Sequence, residues 1–455
     1  MTDSRGRRAA WLAGVRRPGV LRLALVRFAG QFGDGMFQAA LGGAILFNPE
    51  RETDPLAIAG GFTVLLLPYS IIGPYAGALL DRWDRRTVLL VANLLRAVLI
   101  GVTAVGLLSG IPNLPLELLA LAVIGISRFV LAGVSAALPR VLAPNLLIPM
   151  NSVLATVASG CAAAGAALAV ALIGALGSGN LASAVATGGS AVGSVLGALA
   201  AASFGARVLG PDAEGQQREN ISSLRAILTG LRTGARAVWE SVECTTAMIG
   251  VAAHRIVFGA DTLIMVLVLR RDQSAGLSLH SGLGGFGVAI AAAASGMLVA
   301  AVVAPLLIPR LGRPRTVAAG LVTAVVVQAL LVTPVTMSGG PGDRHAYHLL
   351  LAGAFLLGLA GQTIKLTGDA TLQLDVEDAR RGQVFALQDT IFNVGFVLAV
   401  AVAALIVPAD GRSVPVALAG AGVYALGVVA VILNGRRAGA RPGSEAPGPA
   451  RPLPR

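Results

Sequence analysis

What most constrains this chain is a succession of apolar runs, each long enough to cross a bilayer. They fall near 21–47, 57–80, 87–109, 116–138, 151–176, 181–207, 246–269, 283–308, 316–337, 347–371, 384–407 and 413–434. A helix of roughly 20 residues spans about 30 Å of hydrocarbon. In lipid, where no water can bond the backbone, such a run satisfies its own amides as a helix, and no alternating ten-residue barrel pattern is present. The predicted fold class is therefore an all-α polytopic membrane protein with twelve transmembrane helices. Composition agrees: 55% of the 455 residues are hydrophobic, 13% are charged and mean hydropathy is +0.78. That leaves too few charges to coat a soluble enzyme, a disordered chain or a two-span receptor.

The net charge of +12 does not point to nucleic acid, because the basic residues fall between apolar runs and not on one soluble face. With the N-terminus inside, the inner segments hold 25 arginines and the outer loops 5. The positive-inside rule then puts both termini in the cytoplasm. The basic start of the chain resembles a signal peptide but runs past Arg27 and Asp34 without a cleavage site, so it reads as a retained first span. Cys161 and Cys244 are too few and too far apart for a disulfide framework or a thiolate metal site.

The longest connection divides the chain into a basic N-terminus (1–20), a six-helix bundle (21–207), a linker (208–245), a second six-helix bundle (246–435) and a Pro-, Gly- and Arg-rich tail (436–455) expected to be disordered. Within the linker Ile221, Leu224, Leu228 and Leu231 share one helical stripe. This predicts an amphipathic helix, lying on the inner membrane surface or solvated as a joint. LLDRWDRRTVLL after the second run is echoed by LIPRLGRPRTVA after the eighth, with Arg82 matching Arg310 and Arg85 matching Arg313. Such internal repetition is a device of secondary transporters.

The loop GALLDRWDRR, with Gly77, Asp81, Arg82, Arg85 and Arg86, resembles the signature of the major facilitator superfamily. RFAGQFGDGMF in the first run, ANLLRAVL in the third and DVEDARRGQVFALQD entering the eleventh look like its drug and siderophore exporter branch, which includes the enterobactin exporter. The family usually has Gly where Asp84 stands, and Gly312 occupies the equivalent place in the second copy. The resemblance implies two pseudo-symmetric six-helix bundles and a cytoplasmic latch built on the loop. Asp81 would face a helix N-terminus, and Arg85 and Arg86 would pair with acids or lipid phosphates. Asp389 is expected at the inner gate.

A charge at a helix centre costs roughly 2.5–3.5 kcal/mol on insertion scales, so each intramembrane charge needs a partner, a wet cavity or a function. Asp34, Arg128, Arg255 and Asp261 lie well inside their runs, with Arg27 and Arg96 nearer the inner side. Asp34 reads either as a carboxylate that takes and releases a proton or as a permanent ion pair with Arg27, Arg96 or Arg128. His254 and Asp261, seven apart, put an imidazole and a carboxylate on one stripe, for a proton relay, a cation site or simple packing. Lys365 and Asp369 read as an intrahelical pair reaching toward water. Gly189, Gly193 and Gly197 form a small-residue stripe for close helix approach or for oligomer contacts. Phe28, Phe32, Phe37, Phe258, Phe392 and Phe396 are candidate cavity aromatics.

No phosphate-binding loop and no soluble ATPase domain is present, so an ion gradient is the expected energy source. The expected function is a proton-coupled exporter of amphiphilic drugs, siderophores or lipids in the plasma membrane, without enzymatic chemistry or cofactor. Its partners would be a small-molecule substrate, a proton gradient and the lipid bilayer. The alternatives are a divalent-metal exporter using Asp34, Asp261 and His254, and a non-transporting protein of the same fold.

Overall fold

A computed structural model describes residues 17–47, 56, 59–61, 83–142, 146–177, 179–210, 223–270, 282–337 and 344–439. The second apolar run, 57–80, lies almost wholly outside them, as do Gly77, Asp81, Arg82 and the tail from 440. Among the described residues the chain is helical throughout. The N-terminal half holds α1 (Pro18–Leu46), α2 (Arg85–Leu108), α3 (Asn113–Val141), α4 (Leu147–Leu176), α5 (Asn180–Gly189) and α6 (Ala191–Ala202). The linker contributes α7 (Ser223–Glu240). The C-terminal half holds α8 (Val242–Arg270), α9 (Gly282–Leu311), α10 (Arg313–Val327), a π-helical segment (Gln328–Val332), α11 (Thr333–Met337), α12 (Arg344–Asp375), α13 (Asp378–Ile406) and α14 (Val414–Gly439).

Among the described residues ten helices, with α5–α6 and α10–α11 each counted as one, have the length and hydropathy of a membrane span. The 29-residue α1 is as long but carries Gln31, Asp34 and Gln38 in its middle. Helix ends follow local chemistry. Pro18 opens α1, where its missing N–H costs nothing. Asp84 caps α2, accepting from Arg86 N at 3.3 Å and Thr87 Oγ1 at 2.8 Å. Asp84, where the resembled signature has Gly, is thus a helix cap. Its counterpart Gly312 precedes α10 at φ +80°, a backbone conformation that side chains avoid.

Packing decides which faces are buried. The glycine stripe of α5 and α6 turns inward. A Cβ on Gly193 would meet Gly33 of α1 at 2.9 Å, and one on Gly197 would meet Asn93 Oδ1 of α2 at 2.8 Å. Close approach within one chain therefore accounts for the stripe, without a second copy. One apolar cluster joins both halves, drawing Phe37, Leu41 and Leu46 of α1 together with Leu263 and Leu267 of α8 and Val400 and Ala403 of α13. At the other, arginine-rich end the clusters stay within their halves. Val20, Leu23, Leu138 and Phe204 form one, and Val238, Cys244, Met248, Leu372 and Val384 the other. The described halves are thus sealed together at one end only.

The linker helix α7 packs on the C-terminal half: Gly234 faces the Gln383 carbonyl of α13, and Val238 packs into the cluster with Met248 and Val384. Its Glu240 also lies 3.6 Å from Arg380. Arg85 and Arg86 reach backbone oxygens. Arg85 Nη1 donates to Ala136 O at 3.0 Å and Leu209 O at 3.3 Å, and Arg86 Nη2 to Ala202 O at 3.2 Å. Ala202 is the last residue of α6, where unpaired carbonyls favour a cation. Arg313, the match of Arg85, binds Asp375 at the end of α12 at 2.9 Å. Each of the two matched arginines therefore ties the start of one helix to the end of another in its own half.

Candidate functional site: charges at membrane depth

In the N-terminal half the charges close on each other. Asp34 of α1 and Arg96 of α2 are both buried, with Arg96 Nη2 2.9 Å from Asp34 Oδ1 and 3.3 Å from Gly30 O. Gln31 Nε2 donates to Asp34 Oδ2 at 2.9 Å, so both carboxylate oxygens are satisfied. The small residues of the α1–α6 contact allow this. A Cβ on Gly33 would stand 3.3 Å from Arg96 Nη2 and 2.8 Å from Ser190 O. Of the three arginines considered for Asp34, Arg96 makes the ion pair, while Arg27 and Arg128 are half-buried elsewhere on α1 and α3.

In the C-terminal half the same kinds of residue are left open. Asp261 of α8 accepts one bond, from Gln328 Nε2 at 2.7 Å. Its Oδ2 is shut off from solvent without a donor among the described residues. Gln328 is fully buried and begins the π-helical segment. There the Gln328 carbonyl accepts from both the backbone N–H and, at 2.9 Å, the Oγ1 of Thr333, and such bulges recur at functional places in helices. Asp261 also lines a cavity of about 60 Å³ with Phe258, Met265, Ala293, Val332 and Leu357, large enough for a few waters.

One turn and a half before Asp261, Arg255 is 8% exposed and sits among three phenylalanine rings. Its guanidinium carbon lies 3.7 Å from the ring centre of Phe392, 4.7 Å from Phe396 and 5.5 Å from Phe258. Nε donates to Phe392 O at 3.0 Å. Among the described residues no carboxylate pairs with it, and its two amino groups make no hydrogen bond. Gly259 sets this up, because a Cβ there would stand 2.7 Å from Phe396 O and push α13 away.

His254 faces the other way. Its Nδ1 is 3.1 Å from Tyr424 Oη of α14, and its ring fills the space that a side chain at Gly361 of α12 would need. The imidazole therefore packs and bonds within the core, and it makes no pair with Asp261. Among the described residues no three His, Cys, Asp or Glu come together as a metal site. Lys365 and Asp369 pair at 2.8 Å as expected, and Gln388 Nε2 of α13 extends the pair across helices at 2.9 Å to Asp369. Lys365 Nζ lies 5.9 Å from the centre of the same Phe392 ring that Arg255 covers. Asp389, exposed, is on the same face of α13 as Phe392, one turn before it.

Sequence reading missed Gln328 and Tyr424. Each is a large polar side chain in the middle of a mostly apolar run, which at membrane depth is itself a signal.

Comparison with known proteins gives these features a family. Residues 23–340 match the model of the Major Facilitator Superfamily. Proteins of Mycobacterium tuberculosis and Mycobacterium bovis, each described as an uncharacterized MFS-type transporter, are 40% identical over 435 residues, covering 94% of this chain and 93% of theirs. A mutant form of the nucleoside transporter NupG superposes with a TM-score of 0.66 at 15% identity, over 91% of this chain and 99% of its own. The peptide transporter POT in complex with sulfate gives 0.63 at 16%, over 93% and 95%. At such identity these structures speak for the fold alone. The chain belongs to the major facilitator superfamily and is a multi-pass membrane transporter.

Proposed function

We propose that this transporter is a proton-coupled exporter of amphiphilic compounds, the class that includes drugs, siderophores and lipids. It works by alternating access in the plasma membrane with both termini in the cytoplasm. Halves 21–207 and 246–435 rock about the linker 208–245. The arginine-rich end, where the described halves have separate apolar clusters, is then the cytoplasmic mouth, consistent with the excess of inner arginine. The sealed end, where Phe37, Leu41 and Leu267 meet, faces outward.

One observation carries the coupling assignment: Asp261 has a buried carboxyl oxygen with no donor among the described residues, beside a cavity of about 60 Å³. A carboxylate without a cation at this depth is the group whose charge state can change as access alternates, whereas Asp34 is held by Arg96 and Gln31. Asp261 is thus the proton carrier and Asp34–Arg96 the fixed strut of the other half. Export and the amphiphile class rest on the resemblance of RFAGQFGDGMF, ANLLRAVL and DVEDARRGQVFALQD.

The test is an imposed pH gradient across proteoliposomes, followed by a pH dye on adding lipophilic cations, siderophores, lipophilic acids and divalent metals in turn. Dissipation by an amphiphile class that Asp261→Asn abolishes is expected. Dissipation by divalent metals alone, or an Asp261→Asn protein that couples like wild type, overturns the assignment.

A further inference from the structure

The seat of Arg255 is an unusual place for a cation to be left. Three aromatic faces cover the guanidinium, one backbone carbonyl takes Nε, and the two amino groups are unbonded among the described residues. A purely structural arginine at this depth would be expected to end on a carboxylate or on several carbonyls, as Arg96 ends on Asp34 and Gly30. Here the opposite is built. Lys365 is paired with Asp369, which Gln388 also holds, and among the described residues no carboxylate lies at ion-pair distance from Arg255. A planar fork with free amino groups suits a carboxylate or similar oxyanion, and stacking on Phe392 holds the fork in place. The same phenylalanines offer apolar surface to whatever is attached to the anion.

We infer that Arg255, seated among Phe258, Phe392 and Phe396, anchors the anionic group of the transported amphiphile, so that the substrate class is acidic amphiphiles. This rests on the export reading only in taking the bound molecule to be the cargo. The anchor is distinct from Asp261, which carries the proton. Lys365 adds a second positive charge beside the same Phe392 ring, and α13 presents Asp389 one turn away as a boundary to the anion.

The experiment is binding without any gradient, so that a failure of proton coupling cannot disguise the result. Protein in phosphatidylcholine nanodiscs is titrated with 11-(dansylamino)undecanoate and with its methyl ester, reading dansyl fluorescence against empty discs. The acid is expected to bind about tenfold more tightly than the ester, the worth of one charge-assisted hydrogen-bonded pair. Laurate should displace it, whereas dodecyltrimethylammonium and acetate should not. Arg255→Gln should bind acid and ester alike, and Arg255→Lys should keep part of the preference.

Equal binding of acid and ester by wild type overturns the inference, as does an Arg255→Gln protein that keeps the preference. Displacement by acetate as strong as by laurate overturns the amphiphile assignment and leaves a simple anion site. If Arg255→Gln does not fold, the wild-type ratio and Arg255→Lys still decide. Acid preference together with absent proton flux would sink the coupling proposal and spare the anchor, and the reverse pattern would do the converse.

Discussion

The two halves treat their buried charges in opposite ways. On α1 and α2, Asp34 and Arg96 neutralise each other and Gln31 completes the carboxylate. On α8, Arg255 and Asp261 lie six residues apart on one helix, yet one faces phenylalanines and the other an amide. Spacing explains part of this. Six residues turn a helix by about 600°, or 240° net, so the two side chains leave on different faces and do not meet. Asp34 and Arg96 thus tie two helices together, whereas Arg255 and Asp261 have no ion-pair partner among the described residues.

The sharpest test of this contrast is stability. Arg96→Gln leaves Asp34 buried without its cation and should cost about 3–5 kcal/mol, whereas Asp34→Leu with Arg96→Leu should recover most of it. Arg255→Gln has no partner to orphan and should cost only about 1–2 kcal/mol of cation–π contact. Thermal unfolding of the purified variants in one detergent compares them. Equal losses for Arg96→Gln and Arg255→Gln would erase the distinction between strut and open charge.

The next effect concerns backbone approach. Gly193→Val puts atoms where Ala29 O and Gly33 stand, and separating α1 from α6 should cost about 1–3 kcal/mol and loosen the Asp34–Arg96 pair. Gly160→Ala, with open space around its Cβ, should be neutral or stabilising by up to about 1 kcal/mol. A Gly193→Val protein that melts with wild type would show that α1 and α6 are not held at this distance.

How much of this was legible in the sequence follows the same physics. Helix positions were, because about 20 apolar residues have few alternatives in lipid; α1, α2, α3 and α8 lie within a few residues of their expected bounds. Phe258, Phe392 and Phe396 were visible as candidates, but their convergence on Arg255 needed α8 and α13 side by side, which Gly259 allows and periodicity does not reveal. For Asp34 three arginines were equally eligible by position along the chain. Only the packing of α1 on α2 selects Arg96. His254 and Asp261 share a stripe by spacing, yet Tyr424 and Gln328 draw them to different neighbours. The π-helical segment carries no strong sequence mark beyond the lone Gln328.

Asp261→Asn separates function from stability within the open half. The amide keeps the position and a hydrogen-bonding oxygen for Gln328, so the change in stability should stay within about 1 kcal/mol while gradient-coupled flux is lost. A variant that unfolds as readily as Arg96→Gln would place Asp261 with the struts.

The smallest expected difference is between the two copies of the loop before α2 and α10. Asp84 holds φ −58° and caps α2 through Arg86 N and Thr87 Oγ1, whereas Gly312 holds φ +80° and has no side chain to cap with. The copies therefore solve the same helix start by different means, one by a side-chain acceptor and the other by a backbone turn. Asp84→Ala should lose about 1 kcal/mol, and Asp84→Gly only a few tenths, because water reaches the freed amides. Gly312→Ala should lose about 1–2 kcal/mol, because the added Cβ opposes a positive φ and no new cap is gained. If Gly312→Ala were silent and Asp84→Gly severe, the cap would matter more than the turn in both copies. The near-repeat of Arg85 and Arg313 would then be the part of the loop that the two halves truly share.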